Sequence, residues 1–172
     1  MSGGKDSLTL LTVLAALRSY YPAPFELAAI TIDMGLDGID FSPVEQYCKE
    51  LNVGYFCKKT EIGPIIFDYR KEKNPCSMGA KMRRGALSDA IRELGFQKIA
   101  LGHHFDDAVE TFFLSLFYEG RISCFQPVTY LDRMGITQIR PMLYCGEWML
   151  RKAAEREHLP VVFNPCPADG YT

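Results

Sequence analysis

The sequence predicts an α/β fold, a parallel doubly wound sheet formed by a single domain of 172 residues. Three observations support this prediction. Helix and strand patterns alternate along the chain, and this order favours parallel strands joined by right-handed crossovers. The composition, 48% hydrophobic and 23% charged, is typical of a globular domain with one buried core. Polar residues that could carry chemistry follow predicted strands, which is where ligands bind in such sheets.

The first half of the chain contains two helix patterns and two strand patterns. Leucines recur at every third position from Leu8, which indicates a helix that Pro22 and Pro24 close. Residues 42–45 (Ser-Pro-Val-Glu) have the form of a capping box with proline at the first helical position. In order, we predict a helix over 7–20, a strand over 25–33, a helix from residue 42, a strand over 53–57 and a polar loop over 60–75.

The second half continues the alternation. Gly95 and Gly120 each follow a helix pattern and predict where that helix ends. The apolar side of the helix before Gly120 includes Phe112, Phe113 and Phe117, which we expect in the core. In order, we predict a helix over 77–94, a strand over 98–101, a helix over 106–118, a strand over 136–139, a helix over 148–157 and a strand over 161–163.

Composition and charge argue against several classes of protein. No apolar run reaches the roughly 18–20 residues that span a bilayer, and the N-terminus lacks the layout of a signal peptide. We therefore expect a cytoplasmic protein without a membrane partner. The net charge of −2 argues against a protein that coats nucleic acid by charge alone, although a local basic patch stays open. The six cysteines are expected to be reduced, and so available as metal ligands or catalysts.

The chain opens with Ser-Gly-Gly-Lys-Asp-Ser at residues 2–7, directly before an apolar helix. Two glycines let backbone N–H groups approach an anion closely, and the helix N-terminus and Lys5 add positive charge. The motif therefore indicates a cradle for phosphate or pyrophosphate. A plain helix cap with two flexible glycines is the alternative. The spacing is not that of the Walker motif.

A loop of this kind normally follows a buried strand, and here only Met1 precedes it. A missing central strand would leave its neighbours with unpaired backbone groups. We therefore expect residues 1–172 to form one domain that lacks its first strand and any C-terminal extension.

Residues 102–107 (Gly-His-His-Phe-Asp-Asp) join a predicted strand to a predicted helix. The glycine would let a ligand approach closely. Asp106 and Asp107 can cap the helix, hold Mg²⁺, or do both. Zinc is disfavoured, because the side chains of the adjacent His103 and His104 diverge and no cysteine lies nearby in the sequence.

Between residues 70 and 84, six residues are basic and one is acidic. Lys81, Arg83 and Arg84 cannot all share one helix face with the apolar residues, so they point outward or into a site. A solvated helix face is one explanation of such a run. Contact with ATP or with an RNA backbone is the other.

Three blocks of sequence, in the same order, resemble one family. Residues 2–7 resemble the PP-loop of N-type ATP pyrophosphatases, and residues 102–107 resemble the branch of that group that modifies tRNA. Residues 74–85 (Asn-Pro-Cys-Ser-Met-Gly-Ala-Lys-Met-Arg-Arg-Gly) resemble the central motif of the tRNA 2-thiocytidine synthetase family, and residues 140–143 and 164–167 resemble its later landmarks. The resemblance implies a Rossmann-like fold of the adenine nucleotide alpha hydrolase type.

The same resemblance implies ATP-dependent modification of a tRNA base, in which a cytidine is adenylated and then receives sulfur to become 2-thiocytidine. It implies ATP and Mg²⁺ as cofactors, tRNA as a partner, and a sulfur donor protein or sulfide. It leaves a homodimer open. Two alternatives remain: an adenylating PP-loop enzyme without sulfur transfer, and a truncated, non-catalytic relative that binds nucleotide or RNA.

Residue roles are implied by the resemblance, position by position. The implied magnesium ligands are Asp106 and Asp107. The implied catalytic residues are Cys76, Arg83, Asp107 and Cys166. The implied RNA contacts are Lys81, Arg83 and Arg84. The residues implied in ATP binding are Ser2, Gly3, Gly4, Lys5, Asp6, Ser7, Asp33, Gly102, His103 and His104.

The family holds a [4Fe–4S] cluster with a Cys-x-x-Cys pair and a third cysteine. Cys76 and Cys166 match two of these cysteines, but Gly79 stands where the other member of the pair belongs. A cluster needs three or four thiolates, so this one would lack a ligand unless Cys124 or Cys145 replaced it. We therefore expect Cys76 and Cys166 to handle sulfur as thiolate, persulfide or disulfide, while a small buried thiol is the alternative for Cys76.

Overall fold

The computed structural model describes residues 1–69 and 75–162, and in these two ranges helices and strands alternate as predicted. No helix in them is both long and apolar enough to cross a membrane. In chain order the elements are α1 (Lys5–Arg18), β1 (Ala28–Asp33), α2 (Ser42–Glu50), β2 (Gly54–Lys59), α3 (Ile62–Pro64) with a π-helical turn (Ile65–Tyr69), α4 (Pro75–Glu93), β3 (Lys98–Ala100), α5 (Phe105–Glu119), β4 (Val128–Leu131), β5 (Ile136–Ile139) and α6 (Glu147–Arg156).

The strands of the described residues form two sheets. β1 pairs in parallel with β2, with Ala28 opposite Gly54 and Asp33 opposite Lys59. In the other sheet the order is β3-β5-β4, where β3 and β5 are parallel and β4 is antiparallel to β5. Parallel pairs separated by helices confirm the predicted α/β class. The short strand β4 was not predicted, and the strand expected before the glycine loop stays a prediction.

The segment predicted as a polar loop over 60–75 is partly helical. Residues 62–69 form α3 and the π-helical turn that continues it. Ile62 and Ile66 lie about one turn apart and are both buried. The sequence prediction of a polar loop was therefore wrong here, since residues 62–67 are mostly apolar and part of them is buried.

Two predicted termini also differ. The capping box at residues 42–45 does not form: α2 follows the N-cap residue Phe41, no side chain caps its first turn, and the Ser42 N–H donates to Asp40 Oδ1 at 2.8 Å. The strand predicted over 161–163 is not a strand at 161 and 162, although the Val162 N–H donates to the Gly3 carbonyl at 3.0 Å. Residue 163 lies outside the described residues.

The main core lies between α1, α2 and β1. Leu8, Val44 and Cys48 are fully buried there, and Leu11 and Ala29 pack with them. α6 packs against α1 as well. Burial of this apolar surface fixes α1 against the first sheet. Because the glycine loop leads directly into α1, the core also fixes the position of the loop.

The phenylalanines of α5 do not all reach the core, contrary to the sequence prediction. Phe113 is 46% exposed and Phe117 is 74% exposed, and only Phe112 is partly buried. The two exposed rings stack on each other at 5.8 Å. The helical spacing was correct, but an apolar stripe is buried only where another element covers it. No described element covers this one.

Two glycine substitutions should change stability in opposite directions. Gly120 ends α5 in the left-handed region (φ 64°), so Gly120→Ala should lower the free energy of unfolding by about 1 kcal/mol. Gly85 lies inside α4, where an added Cβ meets nothing within 4 Å, so Gly85→Ala should raise it by about 0.5–1 kcal/mol. Urea denaturation of both variants measures the two shifts. A loss of stability in both would contradict the helical assignment of Gly85.

Candidate functional site

The loop at the start of α1 has a backbone shape that requires glycine. Gly3 has φ +81°, and a Cβ added there would lie 2.9 Å from Cβ of Val162. Gly4 is the N-cap residue of α1 and has no side chain to cap the first turn. The first amide N–H groups of α1 are therefore left for an anion, as the sequence predicts for a phosphate cradle.

Two serines fix the loop from either side. Ser2 Oγ accepts a hydrogen bond from the Gly4 N–H at 3.3 Å, and Ser7 Oγ donates to the Gly4 carbonyl at 2.9 Å. The two hydroxyl oxygens lie 3.3 Å apart. Each hydroxyl has a single donor, which Ser2 gives to Ser7 and Ser7 gives to Gly4, so an anion could accept from them only in exchange for these bonds.

Lys5 already has partners within the protein. Its Nζ lies 2.9 Å from Glu147 Oε1 and 3.2 Å from both carboxylate oxygens of Asp6. Burial lowers the pKa of Lys5, but the hydrogen bonds to Glu147 and Asp6 outweigh it and raise the pKa above its ordinary value. The ion pairs are partly exposed and hence weak. A polyphosphate carries more negative charge than either carboxylate and can therefore replace Asp6 and Glu147 as the partner of Lys5.

Gly102 brings the end of β3 against this loop. A Cβ at Gly102 would lie 3.3 Å from the backbone carbon and oxygen of Asp6 and 3.4 Å from the Ser7 nitrogen. Two motifs that are far apart in the sequence, residues 2–7 and 102–107, are thus in direct contact. The structure thus brings them side by side at the end of a strand, and their joint role in one site stays a prediction.

His104 and Asp107 form a reciprocal cap at the start of α5. The Asp107 N–H donates to His104 Nδ1 at 3.4 Å, and the His104 N–H donates to Asp107 Oδ2 at 2.8 Å. The His104 side chain is buried. Both residues therefore cap the helix, a role that the sequence left open for Asp107. Their predicted roles in ATP binding, catalysis and metal binding remain predictions.

Asp106 caps a different helix. Its Oδ2 accepts a hydrogen bond from the Glu147 N–H, the first amide of α6, at 2.6 Å. Because Glu147 also contacts Lys5, this bond links the start of α6 to the glycine loop. Sequence reasoning missed Glu147, which no local motif marks.

The two aspartates suit Mg²⁺ only in part. One oxygen of each, Oδ2, holds a helix amide, so Oδ1 of Asp106 and Oδ1 of Asp107 are the atoms that could coordinate the metal. Among residues 1–69 and 75–162, no three His, Cys, Asp or Glu side chains are grouped as a metal site. Mg²⁺ is commonly held by one or two carboxylates together with substrate phosphates, so the pair is compatible with a magnesium–nucleotide complex.

His103 lies in a buried polar group that the sequence did not predict. Its Nδ1 is 3.3 Å from Arg140 Nε, and its ring lies 4.9 Å from that of Phe125. Burial lowers the pKa of His103, and the charges of Arg140 and Arg84 lower it further against the opposing charge of Asp107. The ring is therefore neutral at physiological pH. The one signal in the sequence for this group was the position of Arg140, directly after a predicted strand.

Asp33 ends β1 and organises the turn that follows. Its Oδ1 accepts from the Gly35 N–H at 2.9 Å, and its carbonyl accepts from the N–H and the hydroxyl of Thr60 at 2.9 and 2.7 Å. Its carboxylate is partly exposed. Its predicted contact with ATP stays a prediction, because the structure gives it a local role.

The helix α4 presents its basic residues outward. Lys81, Arg83 and Arg84 are exposed, while Met78 and Met82 pack against a buried isoleucine cluster. Arg84 is close enough to the site to influence the pKa of His103. The basic face of α4 is thus available to a partner, as the sequence allows.

The cysteine positions give the cluster an incomplete donor set. Gly79 is buried in α4, and a Cβ there would lie 3.4 Å from Ile66 Cδ1 and 3.6 Å from Met34 Cε, which is ordinary contact. Position 79 therefore has room for a β-carbon but supplies no thiolate. Cys76 is the second residue of the same helix. Cys166 lies outside the described residues, so its predicted role stays a prediction.

The other cysteines occupy unrelated surroundings. Cys48 belongs to the main core, and Cys57 is exposed on β2. Burial raises the pKa of the Cys48 thiol. Cys124 Sγ donates to the Ala108 carbonyl at 3.3 Å, and Cys145 packs near the start of α6. None of the four lies on α4, so nothing described supports either Cys124 or Cys145 as the missing ligand.

Comparison with known proteins identifies the family. The model of the PP-loop domain matches residues 1–166. The chain belongs to the PP-loop family. This confirms the family expected from the glycine loop.

Curated relatives of this PP-loop protein carry the name tRNA-cytidine(32) 2-sulfurtransferase. One from Geobacter sulfurreducens is 37% identical over 171 residues, which are 99% of this chain and 66% of that protein. One from Ralstonia pickettii is 37% identical over 167 residues, which are 96% of this chain and 52% of that protein. The chain thus spans between about half and two thirds of the length of these relatives.

Solved structures support the fold. The U34-tRNA thiolase NcsA from Methanococcus maripaludis, solved with its [4Fe–4S] cluster, matches 97% of this chain and 57% of its own with a TM-score of 0.77 at 24% identity. The phosphoadenylyl-sulfate reductase from Candida auris, in a phosphate complex, matches 94% of this chain and 72% of its own with a TM-score of 0.59 at 12% identity. The PP-loop chain therefore has the adenine nucleotide alpha hydrolase type of fold that the sequence predicts.

Two substitutions of Asp106 should separate its structural role from a metal role. Asp106→Ala removes the acceptor of the Glu147 N–H and should lower the free energy of unfolding by about 1 kcal/mol. Asp106→Asn keeps an oxygen acceptor and should change stability by less than about half of that. If the carboxylate also holds Mg²⁺, both variants should bind Mg-ATP more weakly. Urea denaturation and Mg-ATP titration measure the two effects, and equal losses of stability would exclude the capping role.

Proposed function

We propose that this chain carries out the ATP-dependent step of tRNA thiolation: it adenylates a cytidine and supports sulfur transfer to form 2-thiocytidine. The observation that carries the proposal is the match of 99% of this chain to a tRNA-cytidine(32) 2-sulfurtransferase. The contact between the glycine loop and the end of β3 in this chain supports it. Adenylation activates the base because the oxygen of the base then leaves as part of AMP.

The glycine loop would bind the phosphates of ATP. The uncapped amides at the start of α1 and the ammonium group of Lys5 stabilise the negative charge that develops on pyrophosphate as it leaves. Lys5 would exchange its partly exposed partners, Asp6 and Glu147, for phosphate oxygens. Oδ1 of Asp106 and Oδ1 of Asp107 would hold Mg²⁺, which neutralises phosphate charge when it is bound.

The exposed basic face of α4 would contact the tRNA backbone. Lys81, Arg83 and Arg84 lie on one helix whose apolar side is fixed against the isoleucine cluster. Arg84, whose charge acts on His103, can with the other two cations position a phosphate backbone beside the nucleotide site. The overall charge of −2 confines this attraction to the local patch.

Sulfur transfer would use the two matched cysteines without a cluster. The donor set has Cys76 and Cys166 but a glycine at position 79, and two thiolates do not complete a [4Fe–4S] site. The oxygen of the base attacks the α-phosphorus and expels pyrophosphate. The terminal sulfur of a persulfide, which the sulfur donor protein delivers to one of the two cysteines, then bonds to the activated carbon, and AMP leaves with the oxygen. The thiolate of the other cysteine breaks the S–S bond, which frees the thiocarbonyl group and leaves a Cys76–Cys166 disulfide for cellular thiols to reduce.

A second candidate is adenylation without sulfur transfer. Gly79 favours it, because the position that would supply a third thiolate in the family supplies none here. ATP–pyrophosphate exchange combined with analysis of the modified nucleosides separates the two candidates. Exchange with a thiolated cytidine supports thiolation, exchange alone supports the second candidate, and no exchange contradicts both.

The setting of the reaction is part of the proposal. We place it in the cytoplasm with tRNA and a sulfur donor, because the reaction needs all three of ATP, tRNA and reduced sulfur. A homodimer remains a prediction, which light scattering on the purified chain decides.

Removing the matched cysteines should abolish sulfur transfer and spare adenylation. Cys76→Ala and Cys166→Ala should each lose the thiolated product while keeping ATP–pyrophosphate exchange, because the cysteines handle sulfur and not phosphate. Cys57→Ala, which changes an exposed cysteine on β2, is the matched control and should keep both. Product formation is followed by mass spectrometry of the digested tRNA. Undiminished thiolation in the Cys76 and Cys166 variants would contradict their role.

Restoring the missing cysteine should restore a cluster. Gly79→Cys completes the Cys-x-x-Cys pair at a position where a Cβ meets its neighbours at ordinary distances. After anaerobic reconstitution with iron and sulfide, this variant should hold about four irons per chain. Gly85→Cys, on an exposed part of the same helix, is the control and should not. Four irons in the unsubstituted protein would mean that another ligand already completes the site.

A further inference from the structure

Arg140 is a nearly buried cation without a carboxylate partner among the described residues. It is 9% exposed, and its charge is met by neutral groups instead. The guanidinium donates to the Gln126 carbonyl and to Thr129 Oγ1, the latter at 3.4 Å, and its carbon lies 4.7 Å above the Phe125 ring. Such a cation costs free energy to bury unless its donors are satisfied. Its retention at the end of β5 therefore calls for an explanation beyond packing.

Arg140 also contacts Gln138 and His103. With the Gln138 amide turned so that its oxygen faces the guanidinium, that oxygen accepts from Arg140. Arg140 Nε lies 3.3 Å from His103 Nδ1. A guanidinium has N–H donors and no acceptor, so a hydrogen bond between these atoms requires Nδ1 to be the acceptor. A neutral imidazole has one proton, which then lies on Nε2.

The Nε2 atom of the His103 ring has no hydrogen-bond partner among the described residues. No group in residues 1–69 and 75–162 accepts a hydrogen bond from His103 Nε2, and the ring is only partly buried. His103 directly follows Gly102, whose backbone touches the first turn of α1 at the glycine loop. Residue 103 thus directly follows the strand end that borders the cradle for phosphate.

We propose that Arg140 is a positioning residue for His103: it holds the ring with Nδ1 as acceptor, so that the Nε2–H is presented as a hydrogen-bond donor to an oxygen of the bound nucleotide. Phe125 supports both side chains, since its ring contacts the His103 ring and the guanidinium. This assignment rests on the proposed nucleotide function for the second half of its claim, but the tautomer itself is independent of that function.

Nitrogen NMR tests the tautomer directly. In the ¹⁵N-labelled full chain, long-range proton–nitrogen spectra distinguish a bare ring nitrogen from one that bears a proton, and the three histidines are assigned by single substitution. We expect Nδ1 of His103 to be bare and Nε2 to be protonated. Arg140→Gln should mix the two tautomers. Thr129→Val removes another partner of Arg140 without touching His103 and should leave the tautomer unchanged.

Nucleotide binding tests the use of the donor. Glutamine can place an amide N–H near the position of Nε2, whereas asparagine reaches only the position of Nδ1. His103→Gln should therefore keep most of the affinity for Mg-ATP, and His103→Asn and Arg140→Gln should each weaken it by roughly 10- to 100-fold. Titration calorimetry measures these affinities, and circular dichroism confirms that each variant is folded.

The outcomes separate the two proposals. A proton on Nδ1 of His103, or a tautomer that Arg140→Gln does not alter, overturns the positioning role. An unaltered ATP affinity in His103→Asn overturns the use of the Nε2–H at the nucleotide. If the unsubstituted chain holds the expected tautomer but binds no ATP, the proposed function fails while the assignment of the tautomer stands.

Discussion

The candidate site depends on one backbone contact, between the first turn of α1 and the end of β3 at Gly102. A Cβ at Gly102 would lie only 3.3–3.4 Å from the backbone of Asp6 and Ser7, so a glycine allows the two elements to approach without a shift. The contact is held by α1, whose other face is buried in the main core through Leu8. Through this one approach, the phosphate cradle, His103 and the paired aspartates are brought into the same region.

The charged groups at this site already have partners within the protein. Lys5 pairs with Asp6 and Glu147, while Asp106 holds the amide of Glu147 and Asp107 holds that of His104. A nucleotide would therefore exchange partners with these groups instead of meeting bare charges. Because Glu147 connects Lys5 to Asp106, an anion at the loop and a cation at the aspartates would influence each other, and by equal amounts in both directions.

The features that could be predicted are those set by neighbours in sequence. The glycine loop, the ends of α5 at its two aspartates and at Gly120, and the parallel order of elements all follow from short motifs and spacing. The features that could not be predicted join distant residues. The Arg140–His103 bond and the Lys5–Glu147 pair depend on how the sheet brings helix ends together, and no local pattern marks them.

The exposure of Phe113 and Phe117 shows that burial, too, cannot be predicted from a local pattern. Their spacing indicates which side of α5 is apolar, but burial depends on what lies against that side. Likewise Ile62 and Ile66 form part of a core cluster because Ile32 and the methionines of α4 lie against them, which the segment alone does not indicate. Periodicity describes one element at a time, whereas burial belongs to the assembled fold.

The glycine at position 79 has a consequence for where such chemistry can operate. An iron–sulfur cluster with an open iron is damaged by dioxygen, so an enzyme that depends on one needs iron and reductant to rebuild the cluster after exposure to air. A pair of thiols is oxidised to a disulfide instead, and cellular thiols reduce that disulfide again. Sulfur handling by Cys76 and Cys166 alone would thus be reversible after exposure to air, and its rate would follow the redox state of the surrounding thiol pool.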